Sequence, residues 1–205
     1  MQALESLKSL QLDALRETAN IGAGHAATAL SQMTGSTIMI KVPSIAITSV
    51  SEVPKFSEDE EPVAAVTMQM LGDLTGRTLL VFPKPTVLRM AELMLHRSMD
   101  PSAPLGELEQ SAIREAGNIL SGAYMNALSD FLGVLLLPSP PSLVIDQSEA
   151  VLSSSIFASP LGPDTILCVE SEFIFMNTAQ QVRGFFLLLP DPASLQVMLR
   201  ALRLA

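Results

Sequence analysis

Tryptophan is absent from this 205-residue chain, and Tyr124 is its only tyrosine, so aromatic platforms on which nucleic-acid bases stack are scarce. Basic residues are also few. Twelve Lys and Arg against 21 Asp and Glu leave a net charge of −9, which repels phosphate backbones and anionic lipid surfaces and argues against nucleic acid as a partner. One cysteine, Cys168, excludes an intramolecular disulfide and a cysteine-rich metal site, as expected of a reduced cytoplasm. Two histidines, His25 and His96, lie far apart without ligand-spaced carboxylates, so no metal site is expected. Mean hydropathy is high, at +0.39, yet the longest apolar runs, 131–137 and 184–189, fall far short of the roughly 18 residues that cross a bilayer. They read as buried strands, and no membrane insertion is expected. The N-terminus, with Leu4, Leu7, Leu10, Leu12 and Leu15 among polar residues, has a helical spacing rather than that of an export signal.

The length suits one domain of ordinary size or one built from two similar halves. Leu12, Leu15, Ala19, Ala23, Ala26 and Leu30 recur at intervals of three and four, predicting a long helix from Leu7 to about Met33. Thr34 and Gly35 stop it. β-Branched residues from Thr37 to Val50 predict a strand bent or edged at Pro43. A loop with the acidic run 58–61 follows, then strands at 63–70 and 77–82, and a helix over 86–97 introduced by Pro83 and Pro85. After a linker at Pro101–Pro104 the order repeats. A long helix spans 105–131, a proline-broken strand 134–145, further strands lie near 153–158, 165–175 and 182–189, and a closing helix follows Pro190 and Pro192.

Self-comparison makes the repeat explicit. At a constant separation of 98 residues Glu17 matches Glu115, Asn20-Ile21 matches Asn118-Ile119, Gly24 matches Gly122, and Ala29-Leu30-Ser31 matches Ala127-Leu128-Ser129. Gly35 recurs as Gly133, and Pro43 as Pro141. The expected fold is α/β, in the α+β sense: one domain of two repeats, about 1–100 and 101–205, related by a pseudo-twofold axis. Strands of both repeats share one largely antiparallel sheet, with the long helices packed against it.

Within the repeat stands a polar set: Asp13, Glu17, Asn20 and Pro43 in one half, Ser111, Glu115, Asn118 and Pro141 in the other. Positions i, i+4 and i+7 fall within about 60° of one another around a helix, so each trio forms a stripe on one face. With average residue usage such a pattern arises at about one start position in a hundred thousand, which makes the two copies a mark of common descent. A Glu and an Asn on an exposed helical face are most often solvated surface. The doubling and the distant proline set these apart.

The spacing resembles the signature of the CheC, CheX and FliY phosphatases: Asp or Ser, three residues, Glu, two residues, Asn, twenty-two residues, Pro. The Asn-Ile-Gly-Ala-Gly run at 20–24 resembles the family's first site. CheX-like members keep one site per chain and FliY-like members add a switch-complex domain, so the two sites here are most similar to CheC. The resemblance implies hydrolysis of the phosphoaspartate of a CheY-like response regulator in chemotaxis. Asn20 and Asn118 would position the attacking water, and Glu17 and Glu115 would bind the regulator's active-site lysine. Asp13 and Ser111 would support the site edge, while Pro43 and Pro141 shape the adjacent strand. No cofactor of its own is implied, because the regulator brings Mg²⁺. The competing expectation is a binding module that sequesters the regulator or controls the receptor deamidase CheD.

Gly22 and Gly24 have two readings, close helix packing or close approach of a partner. Their Gly-x-Gly lies inside a helix and follows no strand, which excludes a dinucleotide fingerprint. Cys168 and methionines such as Met68, Met70, Met90 and Met94 read as core.

Overall fold

The computed structural model describes residues 9–48, 56, 61–157, 166–178 and 180–201. In chain order these form α1 (Ser9–Thr34), β1 (Ile38–Thr48), β2 (Val63–Gly72), β3 (Gly76–Phe82), α2 (Lys84–Leu95), α3 (Glu107–Leu132), β4 (Leu136–Pro138), β5 (Ser142–Asp146), α4 (Ser148–Phe157), β6 (Ile166–Phe175), β7 (Gln180–Pro190) and α5 (Pro192–Ala201). The expected start of α1 at Leu7 and most of the acidic run lie outside the described residues. Glu61, at the end of that run, pairs with Lys84 at 3.0 Å.

The seven strands form one antiparallel sheet in the order β1-β6-β7-β3-β2-β4, with β5 also paired to β2. Its centre is the β3–β7 pair, one strand from each half. Each half sends its first strand across to the other: β1 hydrogen-bonds to β6, and β4 and β5 hydrogen-bond to β2. The repeats are therefore exchanged at both edges of the sheet.

Both faces are covered, which is why β7 is buried continuously from Gly184 to Pro190 instead of alternating. On one face α1, α2, α3 and α5 bury Leu15, Leu30, Met90, Ile113, Leu120 and Met198 against Val66, Leu80, Phe82 and Leu188. On the other, Phe56 and Val151 of α4 cover Leu79, Val81, Cys168, Phe185 and Leu187. Cys168 is thus a core thiol. Burial, with the charge of Glu170 adding to it, pushes its pKa up to about 12.

One expected element is corrected. The strand placed near 153–158 is helical through Phe157, as part of α4. The apolar pair Val151 and Leu152 is adjacent, and a helix turns both toward the second sheet face, whereas a strand would point them to opposite sides. The remaining elements lie where expected to within a few residues, except that the strand over 134–145 is divided into β4 and β5 at Ser139–Pro141. His96 has a structural role: it ends α2 in the left-handed region, φ 52°, with its N–H donating to the Glu92 carbonyl.

Candidate functional site

α1 and α3 are each 26 residues long and pack against one another above the sheet. α1 buries Leu15, Ala19, Ala23, Ala26 and Leu30, a row of mostly small residues that lets α3 come close. At the crossing, a Cβ on Gly22 would meet the Ala123 carbonyl oxygen at 3.1 Å. α3 seats on the sheet in the same manner, since a Cβ on Gly117 would lie 2.5 Å from a Val66 methyl. Gly35 and Gly133 end the two helices in equivalent left-handed conformations, φ 63° and 66°. These packed and capped ends orient both helices, and with them the faces turned away from the core.

Those outward faces carry the predicted residues. Asp13, Glu17 and Asn20 are exposed on α1, as are Ser111 and Glu115 on α3, with Asn118 half-buried beside them. From Asp13 to Asn20 the stripe runs about 10 Å along the helix axis. Among the described residues, no hydrogen bond or ion pair joins Glu17, Asn20, Glu115 or Asn118 to another side chain, so all four present free polar groups. Gly24 and Gly122 continue the two stripes, and a Cβ at either would meet nothing within 4 Å. The two readings of the glycines thus divide. Gly22 serves helix packing, while Gly24 is open.

The prolines occupy strand irregularities. Pro43 is exposed in β1 where its register with β6 shifts, between Lys41 and Ser44, and Pro141 is half-buried in the break between β4 and β5. Ser139 bridges that break, its N–H donating to the Gln69 carbonyl and its Oγ accepting from the Gln69 N–H at 2.9 Å. Proline suits both places because neither requires a ladder hydrogen bond from its nitrogen.

Two further residues belong to this face. Arg16 and Arg114, directly before the two glutamates, are both exposed and also 98 residues apart. The self-comparison contained that signal, but an arginine on an exposed helix ordinarily only solvates the surface. Arg16 donates to Asp13 Oδ1 at 2.6 Å. Arg114 has Ser111 at the corresponding position, and among the described residues no bond joins the two.

An apolar groove of about 320 Å³, lined by none of the stripe residues, lies between Lys84 and Val87 of α2, Pro104 and Leu105, and Ile145 of β5. Among the described residues no group of three or more His, Cys, Asp or Glu is placed to hold a metal ion, and no helix is long and apolar enough to cross a membrane. Each stripe is an outward-facing row of polar side chains on its helix.

Residues 10–47 and 108–145 each match the CheC-like family. Over 98% of its length the chain is 31% identical to the Bacillus subtilis CheY-P phosphatase CheC, and the match covers 98% of that protein. The chain belongs to the CheC-like family. The two matched segments of this CheC-like chain hold Asp13, Glu17, Asn20 and Pro43, and Ser111, Glu115, Asn118 and Pro141. It is also 29% identical over 150 residues to the B. subtilis flagellar motor switch phosphatase FliY, covering 71% of this chain and 39% of that protein. Its fold is similar to the crystal structure of Thermotoga maritima FliY, with a TM-score of 0.75 and 25% identity over 97% of this chain and 98% of the other.

Proposed function

We propose that this chain is a phosphatase acting on the phosphoaspartate of a phosphorylated CheY-like response regulator, from both helical faces. The observation that carries the proposal is the geometry of the stripes: Glu and Asn side chains without a side-chain partner among the described residues project twice from outward helix faces, at matching positions of the two repeats. A site of that shape suits a macromolecular substrate that supplies the cleft.

An aspartyl phosphate is an acyl phosphate and already activated, and the regulator's Mg²⁺ and lysine hold its phosphoryl oxygens. What this chain adds is position. The carboxamide of Asn20 or Asn118 holds a water by accepting one of its hydrogens, in line with the bond to be broken. Water oxygen bonds to phosphorus, the bond from phosphorus to the aspartyl oxygen breaks, and the regulator's carboxylate is released with inorganic phosphate, which retains the water's protons. Glu17 or Glu115 pairs with the regulator's lysine and sets the docking angle. Their rigid helix holds Glu and Asn one turn apart, so docking the first aims the second. Location in the cytoplasm follows from the proposed substrate. No feature of the described residues singles out a docking face for CheD.

Loss of phosphate from the regulator, measured at catalytic ratios, tests the proposal. Asn20→Ala and Asn118→Ala are each expected to remove one site's turnover, and the double variant to lose about a hundredfold or more while remaining folded. Near-normal activity in the double variant refutes the asparagine assignment. Tight binding of the phosphorylated regulator without multiple turnover would make the chain a sequestering module instead.

A further inference from the structure

Among the described residues, Arg16 is the only Lys or Arg of α1 and Arg114 the only one of α3. In a chain with 12 basic and 21 acidic residues, each site helix therefore has its single such cation at the same repeat position. Several positions of the helix differ between the repeats, namely Thr18 against Ala116, Ala19 against Gly117, Gly22 against Leu120, Ala23 against Ser121 and His25 against Ala123, while Ala14, Glu17, Asn20, Ile21 and Gly24 match as Arg16 does. The arginine has persisted where much of the helix has diverged. It lies one turn before the asparagine, about 6 Å along the axis and about 40° around it. A side chain there reaches the surroundings of whatever Asn20 or Asn118 touches.

Resting on the phosphatase reading, those surroundings have a definite charge. A phosphorylation site that binds Mg²⁺ does so through carboxylates, so its rim is acidic. This chain, at −9, meets such a rim with an unfavourable long-range field. A local cation beside each asparagine offsets it at contact.

We propose that Arg16 and Arg114 are docking cations that pair with carboxylates on the rim of the regulator's phosphorylation site, and that Asp13 restrains the first while Ser111 leaves the second free. The Arg16–Asp13 bond of 2.6 Å must be broken or shared before Arg16 meets an external carboxylate. Arg114 carries no such bond among the described residues. The alternation of Asp and Ser at the first signature position then tunes the two sites differently. These arginines are positioning residues: they act on association, while the asparagine acts on the water.

The test uses two parent chains, Asn118→Ala with only the first site and Asn20→Ala with only the second, titrated with phosphorylated regulator at several salt concentrations. In the second-site parent, Arg114→Gln is expected to raise KM about two- to fivefold, flatten its salt dependence and leave kcat within about twofold. Ser111→Asp there is expected to raise KM while Arg114 is present. In the first-site parent, Asp13→Ser is expected to lower KM about twofold, a gain that Arg16→Gln removes. An unchanged KM in Arg114→Gln, a fall in kcat alone, or an Asp13→Ser effect that persists without Arg16 overturns the inference. Parents that bind but do not turn over overturn the phosphatase reading itself, which is seen before any arginine is changed and takes the inference with it.

Discussion

Gly22 of α1 lies so close to Tyr124 of α3 that a methyl group added to it would meet the tyrosine Cα and ring Cδ1 at 3.1 Å. The neighbours on that side include backbone, which yields less readily than the end of a flexible side chain. Two residues on, Gly24 faces open space.

Alanine at these two glycines is therefore expected to act in opposite directions. Gly22→Ala forces the helices apart, at a cost of about 1–3 kcal/mol that exceeds the gain in helix propensity. Gly24→Ala meets nothing and stabilises by up to about 1 kcal/mol, raising Tm by about 2–4 °C in a chain of this size. Thermal denaturation of the two variants checks this, and equal shifts would show that the helix crossing tolerates a methyl group. A loss of phosphatase activity in the more stable Gly24→Ala variant would mark that opening as a place where the regulator approaches.

Replacing Glu17 and Glu115 together by Gln separates docking from chemistry. Neither side chain has a partner among the described residues, so stability should stay within about 0.5 kcal/mol of the parent. KM should rise with kcat little changed, because the lysine contact forms before the transition state. A collapsed kcat at unchanged KM would instead give the glutamates a part in the chemical step.

Under the helices, the Tyr124 hydroxyl and Ser171 Oγ are 2.6 Å apart and buried, and the tyrosine ring stacks on Phe186. Tyr124→Phe keeps the stack and leaves the Ser171 hydroxyl alone, with an expected cost of about 1–2 kcal/mol. Ser171→Ala should cost a similar amount. In denaturant titrations the double variant should lose less than the two single losses added together, since both remove one bond. Strict additivity would mean that the hydroxyls do not interact.

Alkaline pH should expose the same interior. Burial pushes the Tyr124 hydroxyl and the Cys168 thiol each up to about 12, from ordinary values of 10.0 and 9.0. The folded chain keeps both protons where the unfolded chain has released them. Their contribution is complete at neutral pH and is lost as pH rises from about 9 toward 12. Unfolding free energy measured against pH should fall through that window, and less steeply in Cys168→Ala. Thiol alkylation at pH 8 should be slow in the native protein and rapid in urea; fast native alkylation would place the thiol nearer solvent than the fold does.

The long helices were legible because their apolar spacing and terminal glycines are local signals: Leu15 to Leu30 form one buried row, and Gly35 and Gly133 stop their helices as expected. The residues on the outward stripes were legible through the repeat. What escaped was set by tertiary context. Within residues 148–157 only the acidic Glu149 of the first turn hints at α4, and Val151 and Leu152 join the cluster that covers Leu79 and Cys168 on the second sheet face. The pairing of β1 with β6 is likewise invisible in either strand alone, since Ile38 meets Phe175 from the far half of the chain. Arg16 and Arg114 were overlooked for the opposite reason: a charged residue on an exposed helix needs no explanation until its copy is noticed.

The exchange of first strands sets a clock on synthesis. β1 ends at Thr48 and its partner β6 begins at Ile166, so a ribosome adding roughly 5–20 residues per second leaves β1 waiting for about 6–24 s before its ladder can close. During that interval the strand is a free edge, the kind that recruits another nascent copy. Lys41 and Pro43 sit in its middle, one a charge and the other a missing N–H, and both discourage such pairing. The proline shared by the two repeats thus leaves the waiting strand one hydrogen-bond donor short for any premature partner.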